Sequence, residues 1–470
     1  MALTTDTEKC AHLLRRFGLG ASEAELEYYL KDGGLKGAIA KLLNFEAVPD
    51  PAEIPIEMVE NGKGQLKVPG VQAWWMSRLA ATHRPLQEKL TLFWHDHFAT
   101  SAAKVTSAQL MLNQNEILRR NAAGNFRTLL REVSKDAAMM YWLDNQYNVK
   151  GKPNENFARE VMELFTLGIG NYSEKDIQEA ARAFTGWGFR QRKGPKGQAG
   201  VPKTTSFVFN AADHDDGEKT ILGKTGRFTG DDVLDLLCND PRTATFVAKK
   251  AWEWFAYEKP EPAIVERLAS AFRDSGLNIR ILVKTIMDSP EFYSARAERT
   301  VYKNPVDFVV PIVRQLGIGS TVASGQKANL AGITRPLSLS AKAMGMDILF
   351  PPDVAGWDGG AAWITSATMI ERVKFADKVF GVAPPGIKGQ KGGTNVNFRY
   401  PARSLFGDVP TAETIVDTLL SIYDAPLKSD KRPNLLAAAQ KGLAADGSNI
   451  NAVAASVSRL IFGAPEFQFA

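Results

Sequence analysis

Capped amphipathic segments recur along most of this chain, and they leave little room for anything but a mainly α-helical fold. Ser22-Glu23-Ala24-Glu25 has the pattern of a capping box, in which a hydroxyl and a carboxylate three residues apart satisfy each other's backbone N–H groups. It predicts a helix running to Leu30. Residues 87–97 and 107–120 also read as helices, the second with Leu110, Leu112, Ile117 and Leu118 as its apolar positions. Residues 125–143 predict one helix or two, and residues 154–167 another, closed by Gly168 and Gly170. Ser173-Glu174-Lys175-Asp176 caps a further helix reaching about Phe184. Asp240-Pro241 and Asn304-Pro305 place a capping side chain before a proline whose φ is already helical, which marks two more starts.

Strand signals are confined mainly to one region. Phe207-Val208-Phe209 and Thr220-Ile221-Leu222, separated by Asp215-Asp216-Gly217, read as a small β-hairpin. A basic, Gly/Pro-rich stretch before it, residues 190–203, reads as a surface loop. Two later segments resemble each other: Thr229-Gly230-Asp231-Asp232-Val233 and Thr411-Ala412-Glu413-Thr414-Ile415, each closing with Pro-Glu-Phe, at Pro290 and at Pro465. The fold class expected is therefore mainly α: a multi-helix globular assembly with one small β-hairpin insertion near 205–225 and a repeated helical subunit at about 229–294 and 411–469. The expected organisation is a main helical domain over 1–380, a Gly/Lys-rich linker or loop over 381–400, and a C-terminal helical subunit over 401–470.

Composition narrows the function class. A net charge of +5 on 470 residues is mild, and no concentrated basic face argues for nucleic acid. The two cysteines, Cys10 and Cys238, are too few for a disulfide framework and fit no metal finger. No window approaches the roughly 18 to 20 apolar residues that span a bilayer. No apolar segment follows a basic start at the N-terminus, so a cytoplasmic location is the default expectation, with export requiring a removed leader. Gly-x-Ser-x-Gly, the phosphate-cradling Gly-x-x-x-x-Gly-Lys-Ser/Thr and His-Glu-x-x-His are all missing, and Gly18-Leu19-Gly20 has no third glycine at Rossmann spacing, which disfavours common hydrolase, nucleotide-binding and dehydrogenase readings.

Three polar clusters can carry chemistry. Phe93-Trp94-His95-Asp96-His97-Phe98 holds two of only five histidines, and imidazole with carboxylate is the raw material of a metal site or an acid/base pair. On a helix His95 and His97 diverge by about 200° and cannot share one ligand; they converge only if the segment is extended or the helix ends there. The bland alternative is one histidine on a backbone carbonyl and the other at the surface. Asn156, Glu160 and Glu163 share one helical stripe, with Glu155 and Arg159 an i,i+4 pair beside it. Two carboxylates at i,i+3 can bind a divalent metal or act as acid and base, or they can simply pair with Arg159 and Arg182. Asp213-His214-Asp215-Asp216-Gly217 fails the calcium-loop pattern but can reach a site from a hairpin tip. Pro351 to Gly360 is an irregular loop whose Trp357, like nearby Trp363, can stack on a sugar or aromatic ligand or fill core.

These motifs together resemble the bacterial family catalogued as domain of unknown function 1800. The resemblance rests on His12-Leu13-Leu14-Arg15-Arg16-Phe17-Gly18-Leu19-Gly20, on Phe93 to Phe98, and on Pro153-Asn154-Glu155-Asn156 with Arg159, Glu160 and Met162-Glu163-Leu164. Thr185-Gly186-Trp187, His214-Asp215 with Gly217 and Lys219, and Pro351-Pro352 with Gly356-Trp357 extend it to nearly the whole chain. It implies a mostly helical soluble protein and a partner similar to sulfatases and phosphatases, sometimes exported, and it implies no established activity. One departure stands out. Many members carry histidine where this chain has Phe165, which weakens a metal site needing a ligand there.

Two readings follow. In the first the chain is a divalent-metal-dependent hydrolase, with His95, His214 and Asp215 as metal ligands, Glu160, Glu163 and His97 as catalytic groups, and Asn154, Arg159 and Trp357 binding substrate. A metal would lower the pKa of bound water and a spare glutamate would take its proton. In the second the chain is a non-catalytic binding or assembly protein acting with the sulfatase/phosphatase-like partner, its polar clusters being structural networks. Convergence of the clusters in an open pocket favours the first reading; sealed, internally paired clusters favour the second.

Overall fold

The computed structural model describes residues 3–470 apart from 53–55, 57–65, 193–203, 324–326, 383–397, 399 and 408. The expected linker and most of the basic loop fall outside the described residues. Helices carry the architecture, and the capping signals place their starts. Ser22 and Glu25 form the predicted box at the head of Glu23–Leu30. Asp240 and Asn304 cap Pro241–Phe255 and Pro305–Gln315, each accepting from an amide two or three residues on. Residues 125–143 resolve into two helices, Phe126–Ser134 and Ala137–Trp142, capped by Asn125 and Asp136. The carboxylate helix is Glu155–Glu163, ending before the glycine stop because Leu164 and Phe165 both donate to the Glu160 carbonyl, the second across five residues, which widens the last turn and breaks the ladder.

The strand signals are real, but the expected pairing of 207–209 with 220–222 is not formed. Trp187–Arg192 and Thr204–Phe209 pair antiparallel, with Trp187 opposite Phe209. Lys219–Ile221 pairs instead with Lys224–Gly226. The reason is local: Leu222 and Gly223 have φ of 50° and 74°, the two positive values of a tight I′ hairpin turn. Asp215 to Gly217 lies outside both hairpins.

Apolar side chains gather into two clusters. One, around Phe17, Trp94, Phe126, Phe165, Trp252 and Phe272, joins the N-terminal helix Asp6–Phe17 to helices between 85 and 297. The other, around Trp75, Phe308, Phe375 and Phe462, joins Val68–Ala81 and Pro305–Gln315 to Ser366–Phe380 and the C-terminal helices Ala412–Ile422 and Ile450–Gly463. The two similar segments both begin at a capping threonine, Thr229 or Thr411, and both end in a 3-10 turn, Pro290–Tyr293 or Pro465–Gln468. Among the described residues no helix is long and apolar enough to cross a membrane.

A charged network lies inside this packing. Glu88, fully buried, accepts from Arg119 Nε at 2.6 Å and Nη2 at 3.0 Å, from Arg78 Nε at 3.2 Å and from Trp75 Nε1 at 3.0 Å. Burial alone would push the Glu88 carboxyl up; Arg119 and Arg78 outweigh it and hold the group below its ordinary value. The same contact orients Trp75, whose ring stands edge-on to His95 with centroids 5.2 Å apart.

Candidate functional site

The helix Pro85–His97 runs through the histidine motif, so His95 and His97 leave it on different sides. His95 Nε2 accepts from the Leu349 amide at 3.2 Å, and its ring meets Trp75 and Trp357. His97 Nε2 donates to the Phe165 carbonyl at 3.1 Å, among the rings of Phe93, Phe98, Phe126 and Phe165. Burial holds both imidazoles neutral, His95 down to about 4 and His97 well below its ordinary value. Phe165 therefore occupies, with ring and carbonyl, the ground beside His97.

Asp96, between the histidines, faces elsewhere. With Lys89 and Phe93 it forms an i, i+4, i+7 stripe on one wall of a cavity of about 450 Å³. Arg15 and Arg16 of the first helix, Lys250 and Trp254 of Pro241–Phe255, and Trp357 and Trp363 of the later loop line it too, together with the acids Glu253, Glu258, Asp307 and Asp358. Asp96 Oδ1 accepts from the Trp357 amide at 2.9 Å; Oδ2 has no hydrogen-bond partner among the described residues. Burial raises the Asp96 carboxyl to about 6, against the pull of the Trp357 amide and the Lys250 charge.

The loop reaches Asp96 for reasons visible in its residues. Asp353 Oδ1 accepts from the Ala355 amide at 2.8 Å, turning the chain. Gly356 follows with φ +94°, and a Cβ there would lie 2.5 Å from Asp96 Oδ1. Glycine is thus required twice, for the backbone conformation and for the close approach.

Some charges around the cavity are matched, while Glu253, Glu258, Lys259 and Asp358 on its wall make no ion pair among the described residues. Lys89 pairs with Asp307, and Arg15 with Asp424. Arg16 donates to the Phe255 carbonyl at 2.7 Å and the Ala256 carbonyl at 3.0 Å, at the C-terminal end of its helix, where a cation is favoured. Lys250 differs: its ammonium lies 5.7 Å from the Phe246 ring and makes no ion pair among the described residues. Burial lowers its pKa, opposed by the charge of Asp96.

The remaining expected residues lie apart from this cavity's walls, Trp357 excepted. His214 Nδ1 lies 3.0 Å from the Thr185 carbonyl, and Asp215 is clasped by Arg182 Nε at 2.8 Å and Nη2 at 3.2 Å. That arginine holds Asp215 down to about 2. Buried Lys219 donates to the carbonyls of Asp215 and Gly217, fixing the turn from within. Asn154 caps its helix, and Arg159 bridges Glu155 and Glu174. Glu163 accepts from the Tyr172 hydroxyl; Glu160 is half-buried, its carboxyl raised by burial and then by Glu163 and Asp353. The Glu160 pair thus lies near the Asp353 end of the loop whose other end holds Asp96. Among the described residues no group of three or more His, Cys, Asp or Glu side chains is placed to hold a metal ion.

Sequence reasoning did not single out Lys89, Lys250, Trp254 or Asp307. The Lys89, Phe93, Asp96 spacing was available as a signal, whereas Lys250 sits in an unexceptional amphipathic helix. Residues 12–469 match the family described as protein of unknown function, DUF1800, and the chain belongs to that family. No curated protein and no solved structure matches it.

Proposed function

We propose that the chain is a hydrolase acting on a small, polar, ring-bearing molecule in the Asp96 cavity, with Asp96 as its acid–base group. The observation that carries this is the Asp96 carboxylate itself. One oxygen is anchored by a backbone amide and the other has no hydrogen-bond partner among the described residues, on the wall of a cavity lined by Trp254, Trp357 and Trp363. A carboxyl raised to about 6 exchanges its proton near neutral pH, which is what a general acid or base needs. Tryptophan faces suit a sugar or aromatic ring, and a cavity of about 450 Å³ takes a ligand of that size.

The metal-dependent form of the hydrolase reading has weaker support. His95, His97, His214 and Asp215 each spend a ligating atom on a protein partner, and they do not converge. A second reading is favoured by the same pairing: the His214/Asp215 cluster and the histidine contacts act as a structural network, as an assembly protein with a sulfatase/phosphatase-like partner would use them.

The test is a panel of chromogenic glycosides, carboxylic esters and phosphomonoesters offered to wild type and Asp96→Asn. The amide side chain keeps an acceptor for Trp357 while removing the exchangeable carboxyl proton. Turnover of one class, falling about 10²- to 10⁴-fold in the variant, is expected. No turnover of any class, or turnover indifferent to Asp96→Asn, refutes the acid–base role and leaves the assembly reading.

A further inference from the structure

Behind the Asp96 cavity, sharing Arg15, Asp307 and Ala470 with it, lies a smaller space of about 30 Å³ walled by Lys303, Asp424, Tyr423, Phe467 and Phe308. Its charges do not balance. Arg15 and Arg299 both bind Asp424, Arg15 Nη1 at 2.8 Å and Arg299 Nη2 at 2.9 Å, so two guanidinium groups share one carboxylate. Asp307, the other acid on the wall, is already matched by Lys89 and by Asn304. Lys303 Nζ lies over the Phe467 ring, 3.7 Å from its centroid, and has no acidic partner among the described residues. Arg15 and Lys303 on the wall, and Arg299 on the far side of Asp424, therefore share one available side-chain carboxylate.

The hydrogen-bond count leads to the same place. Arg15 Nε and Arg299 Nη1 are buried N–H groups without an acceptor among the described residues, and both flank Asp424. Buried arginine donors are rarely left unused, and uncompensated buried charge costs more than an uncompensated dipole. The pKa values follow the crowding. Burial, then the charge of Arg299, drives Lys303 well below its ordinary value; burial, then Arg15, brings Arg299 down to about 10.

We propose that this space is a binding site for one small monovalent anion, chloride under ordinary conditions, held between Arg15 and Lys303 with Arg299 supplying further positive field. Size selects the ligand class. A space of about 30 Å³ suits a single water-sized or halide-sized species better than phosphate or sulfate, which need room for four oxygens. The apolar walls, Phe308 and Phe467, favour a weakly hydrated halide over fluoride. The site stands independently of the hydrolase reading, since neither Asp96 nor Trp357 touches it.

The experiment uses the full chain. Its melting temperature is followed from 0 to 100 mM sodium chloride, bromide or fluoride, with sodium gluconate holding ionic strength constant, and crystals soaked in bromide are measured at the bromine edge. The expected result is a saturable rise of about 2–4 °C in chloride and bromide, none in fluoride, and one anomalous peak between Arg15 and Lys303. Lys303→Met keeps the length of the side chain, removes the charge over the Phe467 ring, and is expected to fold while losing both the peak and the halide dependence. Arg15→Gln provides a second folded variant with the same loss expected. Equal melting in all salts with no bromide peak, or halide dependence that survives both substitutions, overturns the site.

Discussion

Replacing Gly356 by alanine tests how Asp96 is held. The residue has φ +94°, and its new methyl would lie 2.5 Å from Asp96 Oδ1 and 2.8 Å from the Asp96 carbonyl oxygen, so the loop has two routes. If it stays, it bears positive-φ strain of about 1–3 kcal/mol plus the clash. If it lifts away, the 2.9 Å bond from the Trp357 amide is lost. That bond goes to an ionisable acceptor, worth about 1.5–3 kcal/mol. The two routes together bracket a loss of about 1.5–4 kcal/mol. At an unfolding entropy of about 2.1 cal/mol/K per residue, 470 residues melting together carry about 1 kcal/mol/K, so the midpoint should fall by about 1.5–4 °C. Calorimetry measures this directly. Gly170→Ala is the control: its φ is +82° but its Cβ would meet nothing within 4 Å, so only strain remains. Carbon-13 NMR adds a second readout, because losing the amide that lowers the Asp96 pKa should move it above its present value of about 6. A variant no less stable than Gly170→Ala, with Asp96 titrating unchanged, refutes the claim that this glycine seats the loop on the carboxylate.

Two further predictions concern charge pairs away from the cavity. Glu88→Gln removes the charge that Arg119 and Arg78 share in the interior, and calorimetry should show a loss of about 3–5 kcal/mol; the parallel Glu88→Met, Arg119→Met double variant should recover part of it, and a single variant as stable as wild type sinks the network argument. Because Arg182 holds the Asp215 pKa down to about 2 in the folded state, the stability this pair contributes is fully present above the unfolded carboxylate value and is lost as pH falls towards 2. Arg182→Gln should therefore flatten the acid limb of the stability curve measured by urea unfolding between pH 5 and 2, and an unchanged limb refutes it.

Much of the fold was readable because helix starts are local events. Ser22, Asp240 and Asn304 announce their helices through side chains that reach amides two or three residues away, and no distant contact is needed to see them. Strand pairing is not local in that sense. Phe207 was recognisable as strand, but its partner Phe189 is defined by a tertiary choice, with Phe207 against Trp187 at 5.2 Å. The candidate site divides in the same way. The spacing of His95 and His97 implied opposed rings on condition that the segment is helical, and the helix Pro85–His97 meets that condition. That the residue between them would face a cavity depended on the loop from Pro351, the first helix and Lys250 all arriving at one face of the helix. Nothing in the sequence near Asp96 encodes those arrivals.

The cavity lies along a seam. Phe93 on its wall belongs to one apolar cluster, Met346 and Trp363 to the other, and Trp254 packs against both. A ligand seated there would act as mortar between two cores as well as a reactant. Its binding energy would be spent partly on resisting their separation, so occupancy should make the two halves of the molecule melt more nearly as one. Unfolding cooperativity would then serve as an indicator of occupancy that requires no knowledge of the reaction.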